Sequence, residues 1–154
     1  MDIIIRRAVP ADVDAMLRLF DESIRGLAFK DYSPTEIDAW IGKADRDKWL
    51  HRIKEQHFMI CEMESTLAGF STITKEGYLD LLYVHPDYVG KGIATRLLSQ
   101  MEGAARKFNC SQIEADVSLT AKGVFLVMGY EIVSEHLVSV GEEQLKNFKM
   151  IKIL

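Results

Sequence analysis

Leu81-Leu82-Tyr83-Val84-His85-Pro86-Asp87-Tyr88-Val89-Gly90-Lys91-Gly92-Ile93-Ala94 joins two unlike kinds of sequence in one short stretch. Its first residues close the run Tyr78–Val84, which is apolar except at Asp80, the pattern of a strand covered on both faces. Pro86-Asp87 and Gly90-Lys91-Gly92 break the run. From Ile93 a helical rhythm takes over, with Ile93, Leu97, Leu98, Met101, Ala105 and Phe108 inward and Ser99, Glu102, Arg106 and Lys107 outward. A buried strand thus passes through a two-glycine turn into a long amphipathic helix. The first N–H groups of that helix have no internal partner, and the helix dipole adds partial positive charge, so the terminus suits an anion. Gly90 and Gly92 clear side chains from the approach, and Lys91 adds a full charge. Glycine turns before helices also serve purely structural ends. Two common phosphate loops are excluded: there is no G-x-x-x-x-G-K-[ST], and no G-x-G-x-x-G after an early strand.

Outward from this stretch the pattern stays regular. Asp2–Arg7 reads as a strand, and Pro10 and Asp12 open a helix carrying Val13, Met16, Leu17, Phe20 and Ile24 at helical spacing. Ser33-Pro34-Thr35-Glu36 is a capped helix start, followed by the apolar stripe Ile37, Trp40, Ile41. A short helix carries Trp49, Leu50 and Ile53. Phe58–Met63 and Leu67–Thr74 form a hairpin about Glu64-Ser65-Thr66. After the long helix, Ile113–Val117 is a strand, and Ala121, Val124, Phe125 and Met128 mark a short helix ended by Gly129. Tyr130–Val140 and Phe148–Leu154 close the chain as two strands, joined by a loop over Val138–Phe148. Strands and helices so ordered predict an α/β domain on a mixed sheet.

The chain has 154 residues, 48% hydrophobic and 27% charged, the size and balance of one globular domain over 1–154. No apolar run approaches the ~18–20 residues of a membrane span. The start Met1–Arg7 lacks a secretory pattern, so a cytoplasmic protein is expected. Net charge of −4 speaks against nucleic acid or an anionic membrane as partner. Cys61 and Cys110 suggest reduced core residues, not a disulfide framework. His51, His57, His85 and His136 show no metal-ligand spacing, and no metal is assigned.

Val84–Ala94 followed by Leu97-Leu98 resembles motif A of the GNAT (GCN5-related) N-acetyltransferases, whose core Q/R-x-x-G-x-G/A reads here Val89-Gly90-Lys91-Gly92-Ile93-Ala94. The Ser118–Tyr130 segment resembles the family's second motif, a helix ending in Gly-Phe or Gly-Tyr. Ile5-Arg6-Arg7-Ala8 with Asp12 resembles its first strand and helix. Tyr32-Ser33-Pro34 with Trp40, and Phe148 with Met150, are similar to the small YafP-like branch. The resemblance covers nearly the whole chain. It implies a GNAT fold, with helices on both faces of a mixed sheet and a splayed strand pair that holds the pantetheine arm. The implied activity is acetyl transfer from acetyl-CoA to a primary amine of a small molecule or peptide. A module of this fold that binds acyl-CoA or a protein partner without efficient catalysis is the alternative. Homodimers are common in the family, so a homodimer is one assembly the resemblance allows.

The same resemblance assigns cofactor contacts to the backbone of Leu82, Tyr83 and Val84, to the turn Val89, Gly90, Lys91, Gly92, Ile93, Ala94 and Thr95, and to Ser118 and Phe125. Amine attack on a thioester needs an anchored donor, a polarised carbonyl and a route for the ammonium proton. Val89 replaces the usual Gln or Arg, Ser118 a frequent asparagine, and Phe125 the tyrosine thought to protonate the departing thiolate. Tyr83 and Tyr78 are substitute proton donors, or core residues. Asp80 interrupts an apolar strand, where an unpaired carboxylate is costly, and alternation puts it on a face with Tyr78, Leu82 and Val84. The matching GNAT position often meets the substrate amine, which implies an anchor or a base acting through water; the other reading is a structural acid paired with an Arg or a backbone N–H. Glu114, Asp116 and Ser118 alternate on one face of the next strand, with Asp116 a second catalytic acid or part of a solvated face. Trp40 and Trp49 either line the substrate pocket or belong to the helix core.

Overall fold

A computed structural model describes residues 2–154. The elements are β1 (Ile3–Arg7), α1 (Val13–Leu27), α2 (Pro34–Ile41), α3 (Arg46–Glu55), β2 (His57–Met63), β3 (Thr66–Ile73), β4 (Tyr78–Val84), α4 (Ile93–Lys107), β5 (Gln112–Ser118), α5 (Lys122–Val127), β6 (Glu131–Val140) and β7 (Glu143–Ile153). The strands make one sheet in the order β1-β2-β3-β4-β5-β7-β6. Among the described residues only β4 and β5 run parallel, because the α4 crossover lies between them.

Local chemistry sets the helix starts. The Ser33 hydroxyl accepts from Glu36 N at 3.2 Å while Ser33 N donates to Glu36 Oε1 at 2.8 Å, so α2 begins with a reciprocal cap behind Pro34. Asp45 caps α3 by accepting from Asp47 N and Lys48 N at 2.9 and 3.2 Å. Arg6 on β1 donates to both Asp12 oxygens at 2.9 Å, which fixes the chain entering α1 and holds the Asp12 carboxyl below its usual range.

Helices cover both faces, as expected. On one side α4 presents Ile93, Leu97, Leu98 and Met101 to Cys61, Ile73, Ile113 and Met150. On the other, α1, α2 and α3 bury Met16, Phe20, Ile37 and Trp49 against Phe58, Ile60, Phe70 and Leu81. Leu97 is fully buried, so Leu97→Ala carries the ~2–5 kcal/mol typical of a core truncation.

Two sequence expectations change. The strand β7 begins at Glu143, so the loop expected over Val138–Phe148 is mostly hairpin, tightly turned at Gly141-Glu142. Apart from Leu145, which is buried in the core, Glu143–Asn147 is polar because it lies at an outer hairpin, and composition there resembles a loop. The second change is a β-bulge. Thr72 faces Leu81 and Ile73 faces Leu79, leaving Asp80 as the extra residue. A one-residue slip reverses the alternation beyond it. Leu82 and Val84 therefore pack toward the α4 side, whereas Asp80 turns to α3, away from the face it was expected to share with them.

Candidate functional site

The strands β4 and β5 are paired only at Tyr78↔Glu114 and Leu79↔Ala115, and beyond that rung they part. On its other side β4 stays paired with β3 as far as Val84↔Gly69, and His85 N donates to Ala68 O at 2.8 Å. Antiparallel ladders alternate hydrogen-bonded and non-bonded pairs. With His85 bonded to Ala68, the Tyr83 backbone is committed to Phe70. The N–H and C=O groups of Leu82 and Val84 point instead into the open V. Of the three backbone positions expected to meet an extended ligand, Leu82 and Val84 are placed for it and Tyr83 is not.

A cavity of about 520 Å³ fills the V. At one end lies the glycine turn. A short 3-10 segment, Pro86–Tyr88, leads to Gly90 and Gly92, at φ 81° and 80°. Both conformations are costly for a residue with a Cβ. Nothing lies within 4 Å of a Cβ placed on Gly90, and only Thr95 Oγ1, at 3.8 Å, on Gly92, so the space before the helix is open. The first intrahelical bond near this end runs from Arg96 N to Gly92 O at 3.1 Å, leaving the N–H groups of Ile93, Ala94 and Thr95 for a ligand. Val89, Gly90, Gly92, Ile93, Ala94 and Thr95 line the cavity. Lys91 is exposed and does not line it, so its charge acts only from a distance.

At the apex of the V stand the two acids. Asp80 follows Leu79 and Asp116 follows Ala115, so each is the first residue past the last rung, one on each arm. Both line the cavity. Asp80 Oδ2 accepts from Arg52 Nε at 2.8 Å and from Gln56 Nε2 at 2.9 Å, the arginine-paired arrangement. Asp116 Oδ2 accepts from the Tyr78 hydroxyl at 2.7 Å, and Asp116 Oδ1 lies 3.4 Å from His136 Nε2. Burial first, and then the hydrogen bond to Asp116, push the Tyr78 phenol well above its usual range.

The other end of the cavity is aromatic. Trp40 Nε1 donates to the Tyr83 hydroxyl at 3.3 Å, and the Tyr83 ring packs edge-on against Phe20. Burial pushes the Tyr83 phenol up to about 12, so it keeps its proton at neutral pH. Trp40 lines the cavity, whereas Trp49 is buried against Phe20 and Phe70 in the core. The Tyr32 hydroxyl donates to Lys146 O at 2.6 Å and accepts from Leu119 N at 2.9 Å, tying the segment before α2 to β7 and to the end of β5. Sequence reasoning gave Tyr32 no such duty, since both partners are distant backbone atoms that no local pattern reveals. Ser118 lines the cavity and caps the next turn by accepting from Ala121 N at 3.1 Å. Phe125 also lines it, stacked edge-on against Tyr130 with ring centroids 4.9 Å apart.

Residues 28–153 match the family model described as an acetyltransferase (GNAT) domain. The chain is 28% identical over 149 residues to the uncharacterized N-acetyltransferase YafP of Escherichia coli K12, across 97% of this chain and 95% of that one. It superposes with a TM-score of 0.95 on a GCN5-related N-acetyltransferase from Rhodopseudomonas palustris, at 31% identity over 100% of this chain and 97% of that one. The PaiA N-acetyltransferase of Thermoplasma acidophilum, solved with coenzyme A, shares the fold at a TM-score of 0.83 and 24% identity, over 100% of both chains.

Proposed function

Since the chain belongs to the GNAT acetyltransferase family, we propose that it moves the acetyl group of acetyl-CoA onto a primary amine of a small molecule or peptide. The carrying observation is the V between β4 and β5, which opens onto the uncapped start of α4. An extended, acyl-bearing arm with a pyrophosphate at its far end suits that shape: backbone donors along one edge and a dipole-bearing terminus beyond.

In this reading the N–H groups of Ile93, Ala94 and Thr95 hold the pyrophosphate. Val84 pairs with the pantetheine arm. Leu82 N–H, near the apex, serves the thioester oxygen as charge develops on it. Ser118 and Phe125 flank the sulfur. The amine nitrogen bonds to the acyl carbon, the carbon–sulfur bond breaks, and the nitrogen gives up a proton. Asp116 takes that proton. Asp80, already engaged by Arg52 and Gln56, anchors the ammonium form of the substrate through its remaining oxygen. Tyr83, Trp40 and Tyr32 wall the acceptor half of the cavity.

Phe125 favours the second reading, a module that holds acyl-CoA without turnover, because no tyrosine stands there to protonate the thiolate. Turnover remains the better reading, because a thiol with a pKa near ~8.5 leaves readily without an enzyme acid. No helix among the described residues is long and apolar enough to cross a membrane, and we place the activity in the cytoplasm. Released thiol, measured with acetyl-CoA and a panel of primary amines, tests the function. Acetyl-CoA binding with no thiol released from any amine favours the module.

A further inference from the structure

We propose that His136 is a positioning residue that receives, by way of Asp116, the proton leaving the attacking amine. This rests on the acetyl-transfer reading and adds a residue to it. The hairpin of β6 and β7 lies beyond β5, and His136 reaches back across β7 to the acid at the apex. His136 Nε2 is 3.4 Å from Asp116 Oδ1, while Asp116 Oδ2 is occupied by the Tyr78 hydroxyl at 2.7 Å. Asp116 thus has one oxygen fixed by a donor and the other facing an imidazole.

Burial supports the assignment. His136 Nε2 is buried and has no hydrogen-bonding partner among the described residues, although 39% of the side chain is exposed. Asn147 stands directly opposite His136 in the β6–β7 ladder, lines the cavity, and carries a buried Oδ1 that is likewise unpartnered among the described residues. Buried polar atoms without partners are costly, and they concentrate where a transferred proton or a ligand completes them. Around His136, Asp116 faces it from β5, with Tyr78 of β4 behind that acid. Lys149 of β7 is held by Glu114 of β5 at 2.5 Å, and Lys146 of β7 pairs with Glu135 of β6 at 2.7 Å. Those lysines are neutralised by their own partners, so Asp116 is the charge left facing the imidazole.

A carboxylate is a weak base that hands a proton on readily, and an imidazole is the stronger base of the two. The ammonium nitrogen gives its proton to Asp116 as the C–N bond forms. Asp116 passes it to the Nε2 lone pair, and the exposed part of the ring returns a proton to solvent. No net oxidation occurs, and Asp116 is a carboxylate again after each turnover.

The test compares wild type, His136→Gln and His136→Asn by kcat/KM from about pH 5 to 8, the window in which imidazole titrates. Butylamine, tyramine and an alanyl peptide serve as acceptors, and melting temperature is recorded for each variant. Ionisation of the amine is common to all three proteins and cancels in the ratio of wild type to variant. The expected ratio is about 10-fold or more above neutrality, falling toward unity at acid pH, where a protonated imidazole has no lone pair left to receive a proton. In an Asp116→Asn background, His136→Gln should cost nothing further, because it acts through that acid. A ratio that is flat with pH, a ratio of one throughout, or an equal loss in the Asp116→Asn background overturns the inference while leaving acetyl transfer intact. A wild-type protein inert toward every amine overturns both.

Discussion

Arg52 Nε donates to Asp80 Oδ2 at 2.8 Å, with only 25% and 20% of the two side chains exposed, so Asp80 reaches the cavity as half of a sheltered ion pair. Removing one partner of such a pair strands the other. Asp80→Ala is expected to cost about 2 kcal/mol and to lower the melting temperature by roughly 4–8 °C. Arg52→Ala should do the same, and the double variant should lose much less than the sum. Asp80→Asn keeps an oxygen for Arg52, so kcat should hold within about 10-fold while KM for the amine rises. A fall in kcat of about 10² with an unchanged melting temperature would give the proton back to Asp80.

Much of this was legible in the chain, and the gaps have physical reasons. The run Tyr78–Val84 into Gly90-Lys91-Gly92-Ile93 carried the strand, the turn and the helix in one reading, because all three rest on local chemistry. The cap at Ser33–Glu36 was equally local. What failed was alternation at Asp80: a bulge is set by the partner strand, here at Thr72/Ile73, and a single strand's sequence cannot show it. Lys91 looked like a phosphate ligand because it lies between two glycines, yet the left-handed turns on either side leave it outside the cavity. His136 lies outside every motif, since its approach to the acid of β5 depends on how the last hairpin is laid beside that strand.

Gly92→Glu tests the anion end. Gly92 has φ 80° and an open space where its Cβ would be, so a glutamate there brings backbone strain and a negative charge to the place proposed for the pyrophosphate. Acetyl-CoA at 100 times its dissociation constant should stabilise the wild type by about 2.7 kcal/mol. In Gly92→Glu that gain should vanish when each protein is compared with its own ligand-free melt, which removes the strain from the comparison. A full ligand shift in the variant places the phosphates elsewhere.

Tyr130 offers a test of burial. Its ring is 2% exposed and its hydroxyl has no hydrogen-bonding partner among the described residues, so burial pushes its phenol well above the usual range. A phenol raised in the folded state keeps its proton after the unfolded chain has lost it near pH ~10. The unfolded state then binds fewer protons, and stability falls as pH rises from that point through the folded pKa. Tyr78, and Tyr83 at about 12, add to the same alkaline loss. Tyr130→Phe deletes an unmatched hydroxyl and should raise the melting temperature at pH 7 by roughly 2–4 °C, the equivalent of about 1 kcal/mol. It should also make the decline above pH ~10 shallower. A destabilised Phe variant would mean that the hydroxyl is bonded after all.

Phe125 is the departure from the family pattern that bears most directly on catalysis. Its ring lines the cavity and packs at 77° on Tyr130, so Phe125→Tyr keeps the ring and its packing and adds one hydroxyl to a site beside the proposed sulfur position. If protonation of the leaving thiolate limits turnover, that hydroxyl should help most where other acids are scarce. Near neutrality water and buffer acids supply the proton, and a thiol with a pKa near ~8.5 leaves with little assistance. At higher pH those acids decline, whereas a phenol shifted upward by burial, as Tyr83 is, still carries its proton. Phe125→Tyr should therefore raise kcat several-fold near pH ~9.5 and barely alter it at pH 7. Acetyl-CoA affinity should stay within about 2-fold, because the backbone donors at Val84 and the α4 terminus are untouched. An equal effect at both pH values would show that protonation of the thiolate does not limit the reaction. A loss at both, with a lower melting temperature, would show that the added oxygen disturbs the Phe125–Tyr130 packing before it can act as an acid.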